Sequence, residues 1–351
     1  MLCSRVLGVK TIQDGDMDPV SQGALGAALA QSGGNRRVLK AATFLGCLGG
    51  LAPDLDIFIF SPSDPLLFLE YHRQFTHSLV FIPIGALLVA LATHRLARRM
   101  LSLPKLSFRE AYLFCLLGYA THGLLDACTS YGTQLLWPFS FERFAWNNVS
   151  IVDPLFTLPV LGLVIISVYR RQAWFGRLAF GWAMLYLMMG IVQRDRAIEA
   201  GYELASSRGH VPIRLEAKPG FGNLLLWKVV YETQDYFYVD GVRVGTKSAT
   251  FPGDQVLKLN MGRHFNWLDP GSQQAKDIER FRWFSNNYLA LDPANPNRII
   301  DVRYSVVPNE VKALWAIDID RKKTHDAHIN WVVLRSTDRT QVDRWWSMLT
   351  E

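Results

Sequence analysis

Apolar residues form long runs in the first half of the chain and short runs in the second half. An α-helix needs about 17 to 25 predominantly apolar residues to cross a bilayer, and most of the long runs are near that length. They occupy residues 38–52, 78–94, 109–128, 152–169 and 174–193. A weaker run at 20–30 is rich in Gly and Ala, which suits close packing of a short helix against its neighbour. The pattern predicts a mainly α integral membrane helical bundle with five to six membrane helices.

The second half has the pattern of a smaller, soluble, β-rich α+β domain. Its short apolar runs are rich in β-branched and aromatic residues, which is typical of strands. They occupy residues 224–232, 236–239, 242–244, 299–306, 313–319 and 329–334. The pair Asp240-Gly241 between two of these runs predicts a hairpin turn. Residues 273–287 and 339–349 are predicted to be helices.

The change in composition near Arg194 divides the chain into domains. We expect a disordered or extended N-terminus over residues 1–16, a membrane helical domain over 17–193 and a β-rich domain over 194–351. The second half contains no cysteine, so disulfide bonds do not hold it together.

Lys and Arg side chains gather in some of the loops between apolar runs and predict an orientation in the membrane. Loops of this kind stay in the cytoplasm, and they lie at residues 32–40, 94–109 and 170–177. The other loops and the chain beyond Arg194 are therefore expected on the outer side of a bacterial inner membrane. Membrane lipids are the expected partners. The sequence has no ladder of basic and aromatic residues, which argues against nucleic acid as a partner.

Histidines and aspartates recur at the ends of the apolar runs, on the side predicted to be outside. They form the segments PDLD (from Pro53), HRQFTH (from His72) and HGLLD (from His122), and Asp153 follows. Ionisable groups beside hydrocarbon cost free energy, so their recurrence indicates a functional polar site. Each segment alone is more simply a packed histidine or the end of a helix. Their convergence on one side of the membrane favours a common site.

The spacing of these residues predicts how they meet. His122 and Asp126 lie four residues apart, so on a helix they share one face. An extended backbone after Pro53 would send Asp54 and Asp56 to the same side.

The two histidines of the second segment are expected in different elements. His72 is predicted in a loop and His77 in the first turn of a helix from Ser78, with Thr76 as the cap of that helix. Neutral imidazoles and carboxylates together suit zinc, manganese or iron better than calcium or magnesium. The sequence therefore predicts a divalent metal centre, with zinc as the first choice.

The same segments carry a resemblance to a known family. PDLD, then HRQFTHS, then HGLLDACTSYGTQLLWPFS with Arg143 after it, resemble the YdjM-like family of LexA-binding, inner-membrane-associated proteins, which are regarded as metal-dependent hydrolases. The resemblance covers about residues 17–192. It implies an integral membrane protein that is distantly similar to zinc-dependent phospholipases C, helical enzymes that cleave phosphoesters with a cluster of zinc ions.

On this resemblance, six residues are the metal-site positions. They are Asp54, Asp56, His72, His77, His122 and Asp126. The chain departs from the family near its start, where many members carry a histidine in a Thr-His or Gly-His pair and this sequence has Ser21-Gln22. The departure leaves the number of metal ions open.

Other residues near the predicted centre are assigned supporting or catalytic roles. Arg73 and Arg143 are candidates for binding a phosphate group, because a guanidinium matches two phosphate oxygens. Alternatively, Arg73 reaches lipid headgroups. Asp54 or Asp56 is either the last metal ligand or the base that orients the attacking water. The remaining candidates are Asp153 and Thr76, which would orient ligands from behind, and Thr129 and Tyr131, which would line the substrate pocket.

Three functions are compatible with this pattern. The first is a membrane-bound, metal-dependent hydrolase that acts on a phosphoester or ester of a lipid or envelope molecule at the outer face of the inner membrane. The second is a non-enzymatic membrane scaffold or binding protein with a structural polar or metal cluster. A metal or proton transporter is the weakest, because the polar groups gather at one end and do not line a path through the bilayer.

Overall fold

The computed structural model describes residues 18–335 and 338–351. The N-terminus predicted over residues 1–16 lies outside the described residues. The first region is helical, and two short 3-10 turns, Ala52–Phe58 and Phe75–His77, stand before and after α3. Its helices are α1 (Pro19–Ser32), α2 (Leu39–Leu51), α3 (Leu67–Tyr71), α4 (Ile82–Met100), α5 (Phe108–Cys128), α6 (Pro154–Arg170) and α7 (Ala173–Ser207).

Helix α1 lies at the centre of the bundle and packs against α2, α5, α6 and α7. Glycines bring the backbones of three of these helices together. A Cβ on Gly26 of α1 would lie 2.5 Å from the Gly46 carbonyl oxygen of α2 and 3.2 Å from the Gly118 Cα of α5. Small residues at such crossings are typical of membrane helices, where close backbone packing replaces the hydrophobic effect.

Two helical stretches of the described chain are long and apolar enough to cross a membrane. They are Leu39–Phe58, with 20 residues, and Ala173–Ser207, with 35 residues. A third span results if Leu67–His77 and Ile82–Met100, which meet at 85°, are taken as one. Helix α6 is apolar but shorter. A helical region with two to three candidate membrane spans is confirmed, whereas the number of five to six membrane helices stays a prediction.

The described part of the second region consists of two antiparallel sheets and three helices, which confirms a C-terminal antiparallel sheet domain. The first sheet has the order β1-β2-β3-β4, with β5 paired to β3, and the second the order β6-β7-β8-β9. The strands of the first sheet are β1 (Arg214–Pro219), β2 (Leu226–Glu232), β3 (Tyr236–Val244), β4 (Ser248–Phe251) and β5 (Gln255–Leu257). Those of the second are β6 (Leu289–Asp292), β7 (Asn295–Asp301), β8 (Trp315–Asp318) and β9 (Asn330–Val333). The helices are α8 (Met261–His264), α9 (Gln273–Phe284) and α10 (Arg339–Thr350).

The hairpin turn predicted at Asp240-Gly241 is wrong. Strand β3 continues through both residues, and the turn lies at residues 233–235, between β2 and β3. Asp240 is fully buried, and its carboxylate accepts two hydrogen bonds of 2.8 Å from the Arg208 guanidinium. The dipeptide Asp240-Gly241 on its own favours a turn, but this tertiary ion pair keeps it in the middle of the strand.

Helix α7 connects the two regions without a break at Arg194. A helix rises about 1.5 Å per residue, so α7 is roughly 50 Å long and extends beyond the length needed to cross a bilayer. Its C-terminal turns carry the first sheet, since a Cβ on Gly201 would lie 2.8 Å from Cγ1 of Val229 in β2. The first strand begins only at Arg214. The domain boundary between residues 193 and 194 stays a prediction.

The sheet domain packs on the end of the bundle that carries α3. Phe281 of α9 shares a hydrophobic core with Leu69 of α3. Arg280, next to it, donates hydrogen bonds of 2.9 and 2.8 Å to Asp64 and one of 2.5 Å to Glu70. These contacts fix α3 and the loop before it on the C-terminal domain.

Candidate metal centre

Four side chains meet at this end of the bundle: Asp54, His77, His122 and Asp126. One ligand atom from each lies within 4.8 Å of the other three. Asp54 comes from the 3-10 turn after α2, His77 from the 3-10 turn after α3, and the other two from the last turns of α5. The site therefore forms only when these elements pack together.

Both imidazoles are oriented by hydrogen bonds at Nδ1. His122 Nδ1 lies 2.6 Å from the Gly50 carbonyl oxygen. His77 Nδ1 lies 2.9 Å from the Thr76 hydroxyl, which itself donates to Asp56, and 3.2 Å from the Asp56 carboxylate. These partners can all accept a hydrogen bond from Nδ1, and this arrangement favours the tautomer in which each Nε2 presents a lone pair. The two Nε2 atoms are 2.9 Å apart. Two lone pairs that face each other at this distance require a proton or a metal cation between them.

Five of the six distances among the four ligand atoms are close to those around a tetrahedral metal ion. Asp54 Oδ1 lies 3.1 Å from His122 Nε2 and 3.4 Å from His77 Nε2. Asp126 Oδ2 lies 3.2 Å from His77 Nε2 and 3.6 Å from His122 Nε2. Ligands about 2.0 to 2.1 Å from zinc stand about 3.3 Å from each other in a tetrahedron. A set of imidazole nitrogens and carboxylate oxygens therefore fits zinc here, and the same donors suit manganese or iron.

Burial and charge also favour a cation. The side chains of His77, His122 and Asp126 have 0% exposure, and that of Asp54 has 17%. Asp54 Oδ2 is buried and accepts no hydrogen bond from a described residue. Burying carboxylates without compensation costs several kcal/mol, and a divalent ion would neutralise both. Asp54 is thus the one member of the group of four with exposed side-chain surface.

Asp56 and His72 lie beside the group of four. Asp56 Oδ1 is 2.8 Å from His72 Nδ1, and Asp56 Oδ2 accepts a 2.8 Å hydrogen bond from the Thr76 hydroxyl next to His77 Nδ1. Asp56 thus orients the His77 imidazole from behind, as the outer partners of metal ligands do, and Thr76 orients Asp56. The ligand roles expected for Asp56 and His72 stay predictions.

Two local backbone predictions at the site are wrong. Asp54 and Asp56 lie in a 3-10 turn and not in an extended segment, and this turn sends their carboxylates to opposite nitrogens of His77. The next long helix does not start directly after His77 with Thr76 as its cap. It starts at Ile82, because the Thr76 hydroxyl is bonded to Asp56 instead.

Gln22, where the sequence departs from the family pattern, holds the Asp126 carboxylate in place. It is fully buried, and its Nε2 donates a 2.9 Å hydrogen bond to Asp126 Oδ1 and a 3.4 Å one to the His122 carbonyl oxygen. The other oxygen of Asp126 is thereby left to face the imidazoles. The one sequence signal for this role was a long polar side chain inside the Gly- and Ala-rich run.

Arg73 and Thr129 support Asp126 from another side. Arg73 is fully buried, with Nε 3.2 Å from Asp126 Oδ2, and its Nη1 donates a 3.0 Å hydrogen bond to Thr129 Oγ1. The Thr129 hydroxyl donates to the Asp126 carbonyl oxygen at 2.7 Å. The phosphate-binding role of Arg73 and the substrate-lining role of Thr129 stay predictions.

Arg143 joins the loop after α5 to the C-terminal domain. It donates to two backbone carbonyls, the nearer being that of Gly132 at 2.8 Å. Its guanidinium carbon lies 5.6 Å from the centre of the Trp283 ring and 5.4 Å from that of Phe284. Burial and the neighbouring charge of Arg73 lower the pKa of Arg143 to about 9. Its predicted catalytic role is not tested by these contacts.

Tyr131 and Asp153 have contacts of other kinds. Tyr131 is 6% exposed and stacks on Tyr304 of the C-terminal domain. Asp153 begins α6, where its carboxylate accepts two backbone N–H groups of the helix and a 2.8 Å hydrogen bond from the Tyr186 hydroxyl. None of these contacts involves the four clustered side chains, and the roles expected for both residues stay predictions.

Two known proteins are similar to parts of this chain, and one of them is named as an inner membrane protein. Inner membrane protein YbcI of Escherichia coli (strain K12) is 28% identical over 163 residues, which are 45% of this chain and 87% of that protein. Uncharacterized protein YfhP of Bacillus subtilis (strain 168) is 26% identical over 118 residues, or 34% of each chain. The match thus covers about a third of the length of YfhP. No solved structure matches the chain.

The family described as YdjM inner membrane protein matches residues 17–197, which is more than half of the chain. The match covers the helical region and all four clustered residues, and it ends within α7. It also confirms the resemblance carried by the PDLD, HRQFTHS and HGLLD segments. This chain therefore belongs to the YdjM inner membrane protein family, and its location is the inner membrane.

Proposed function

We propose that this protein is a membrane-bound, metal-dependent hydrolase that acts on a phosphoester or ester of a lipid or envelope molecule at the outer face of the inner membrane. The observation that carries the proposal is the meeting of two imidazole Nε2 atoms with two carboxylates, all four ligand atoms lying within 4.8 Å of one another. A divalent ion held there polarises an ester oxygen and lowers the pKa of water to about 7. Zinc is the first choice for this ion.

The differences among the four residues support a division of roles. Catalytic zinc sites use three protein ligands and keep a fourth position open, whereas structural sites are closed by four. His77, His122 and Asp126 are fully buried, and each has a further partner that orients it. Asp54 differs from them in being 17% exposed. We assign the three buried residues as ligands and Asp54 as the base that orients the attacking water and accepts its proton.

Exposed apolar side chains beside Asp54 support a substrate in the membrane. Leu55 and Phe58, in the same turn as Asp54, are 63% and 70% exposed, and Phe60 just beyond is 51% exposed. Exposed apolar side chains grouped in this way mark a contact with lipid or another apolar partner. An amphiphile lying in the outer leaflet would present its ester group at the level of Asp54.

The positions of the basic loops support one orientation of the chain. Arg36 and Arg37 precede α2, and Lys105 precedes α5, whereas the clustered residues lie at or beyond the C-terminal ends of both helices. If the basic loops are cytoplasmic, the metal centre and the C-terminal domain lie outside. Protease added to spheroplasts is then expected to digest the C-terminal domain, and its protection in intact spheroplasts would contradict this orientation.

The substitution Asp54→Asn is expected to abolish hydrolysis and leave the metal in place. Asparagine keeps the size of the side chain and cannot accept the proton, and a general base contributes about 100-fold or more to the rate. Hydrolysis of phosphodiester and lipid ester substrates by detergent-purified protein, with and without chelator, measures the rate. Elemental analysis measures the metal. Asp195→Asn, at a side chain of α7 that is 59% exposed, is the matched control and should retain both.

Two results would count against the enzyme. Loss of the metal in Asp54→Asn would make Asp54 a fourth ligand, and a site closed by four protein ligands favours the alternative of a non-enzymatic membrane scaffold or binding protein. Metal-loaded wild-type protein without chelator-sensitive hydrolysis of these substrates would lead to the same alternative.

A further inference from the structure

A column of stacked side chains links the ligand Asp126 to the C-terminal domain. The Arg73 guanidinium, 3.2 Å from Asp126, lies over the Tyr131 ring with its carbon 5.6 Å from the ring centre. Tyr131 in turn stacks on Tyr304, with ring centres 4.9 Å apart and planes at 9°. Cations above aromatic faces and offset-stacked rings attract each other. The column therefore has favourable contacts at each step.

Tyr304 is fixed in the column from several sides. Its hydroxyl donates a 2.5 Å hydrogen bond to the Ser130 carbonyl oxygen, in the loop after α5. Trp315 of β8 packs against Tyr304 with ring centres 4.8 Å apart, and against Tyr131 at 5.3 Å. Arg303 lies on the Tyr304 ring at 5.0 Å. Tyr304 thus cannot move without disturbing contacts in both regions of the protein.

Arg73 connects this column to two residues of the metal centre. Besides its side-chain contact with Asp126, its backbone N–H donates a 3.1 Å hydrogen bond to Asp56, the carboxylate behind His77. Arg73 has a φ of 63°, in the left-handed region that non-glycine residues rarely adopt. Such a conformation persists only where the surrounding contacts impose it. The contacts that hold Arg73 in it include its backbone hydrogen bond to Asp56 and the packing of its side chain on Tyr131.

We propose that the C-terminal domain completes the metal centre, and that Tyr304 is a positioning residue that holds Arg73 on Asp126 through Tyr131. The inference rests on the metal binding proposed above and assigns the domain a part in it. The family match ends at residue 197, so Tyr304 and Trp315 lie outside the region that defines the family. In this chain the membrane domain provides the ligand Asp126, and the sheet domain provides Tyr304, which supports that ligand from outside.

Tyr304→Leu is expected to weaken metal binding and alter the geometry of the site. Outer partners of metal ligands typically change affinity by about 10- to 100-fold, and since Tyr304 acts through Arg73, we expect about tenfold. Full-length protein loaded with cobalt(II) in detergent gives both readouts: the affinity from competition with a chelator, and the ligand geometry from the visible absorption bands. Tyr304→Phe keeps the stacked ring, so its cobalt affinity and its absorption bands should be closer to those of the wild type than those of Tyr304→Leu.

Tyr238→Leu is the matched control. Tyr238 stacks on Tyr231 in the first sheet with the same 4.9 Å separation and 9° angle as the pair in the column. Its substitution removes an equivalent stack that is not part of the column of Arg73, Tyr131 and Tyr304. Cobalt affinity and absorption of this variant should match the wild type even if its thermal stability falls.

The outcomes separate this inference from the proposed function. Wild-type absorption and affinity in Tyr304→Leu would overturn the positioning role and leave the metal centre standing. An equal change in Tyr238→Leu would overturn it too, because general destabilisation would then explain both. Wild-type protein that binds no cobalt would overturn the metal centre and this inference together. If Tyr304→Leu does not fold, Trp315→Phe tests the same packing. It is expected to cause a smaller shift in the same absorption bands. Absorption bands unchanged from the wild type in Trp315→Phe would overturn the positioning role of Tyr304.

Discussion

Replacement of His122 by alanine is expected to abolish metal binding, and any metal-dependent hydrolysis with it. His122 Nε2 is one of the four clustered ligand atoms, and its ring is fully buried with Nδ1 bonded to the Gly50 carbonyl. Alanine removes the ligand and leaves the Asp54 and Asp126 carboxylates facing each other. Loss of an outer partner alone costs about 10- to 100-fold in metal affinity. Loss of this ligand should therefore lower the zinc affinity by more than about 100-fold, measured by chelator competition.

His94→Ala is the control for this substitution. His94 is also a helical histidine with a ring nitrogen near a backbone carbonyl, at 2.9 Å from the Leu106 oxygen. It lies in α4 near the basic loop, away from the clustered residues. Its replacement should leave the zinc content unchanged. Wild-type zinc affinity in His122→Ala would remove His122 from the ligand set.

Gly118→Ala is expected to destabilise the bundle by about 3 kcal/mol, at the upper end of the range of about 1 to 3 kcal/mol for overpacked cores. A Cβ at this position would lie 2.0 Å from the Gly46 carbonyl oxygen and 3.0 Å from its Cα. A backbone atom cannot yield by changing a rotamer, so α2 and α5 must separate. Since the 3-10 turn after α2 carries Asp54 and α5 carries His122, the zinc affinity should fall as well.

Gly162→Ala provides the same chemical change without the clash. In α6, nothing lies within 4 Å of a Cβ built on Gly162. Alanine is also the better helix former by about 1 kcal/mol, so this variant should be as stable as the wild type or more stable. Thermal unfolding of the two variants in detergent measures the difference. Equal transition temperatures would contradict the close backbone crossing of α2 and α5.

His122 and Asp126 show what the sequence could predict about the site. Their spacing of four places them on one face of a helix by local geometry alone, and their ligand atoms lie 3.6 Å apart. The long apolar runs likewise predict helices, because hydrophobic length is a local property of the chain. Features that depend on a short stretch of sequence were therefore predictable.

The features that escaped prediction depend on partners far along the chain. Asp54 and Asp56 face opposite nitrogens of His77 because a 3-10 turn replaces the expected extended backbone. Asp240 stays in a strand because Arg208 pairs with it. Gln22 bonds to Asp126 across two helices. No local pattern encodes such contacts, since each forms only when separate elements pack.

The role of the C-terminal domain could not be predicted for the same reason. An ordinary sheet core would produce the segment that contains Tyr304, and the significance of this residue comes from its stack on Tyr131 and from the contact of Tyr131 with Arg73. The sequence predicted a sheet domain and left its purpose open. The structure attaches that domain to α3, which precedes His77, and to the loop after α5, the helix that carries Asp126.

X-ray absorption at the zinc K-edge of zinc-loaded, detergent-purified protein tests the metal centre most directly. We expect about one zinc ion per chain, with only nitrogen and oxygen ligands at about 2.0 to 2.1 Å and the outer-shell scattering of two imidazole rings. Sulfur ligands at about 2.3 Å, or purified protein that takes up no zinc, would contradict it.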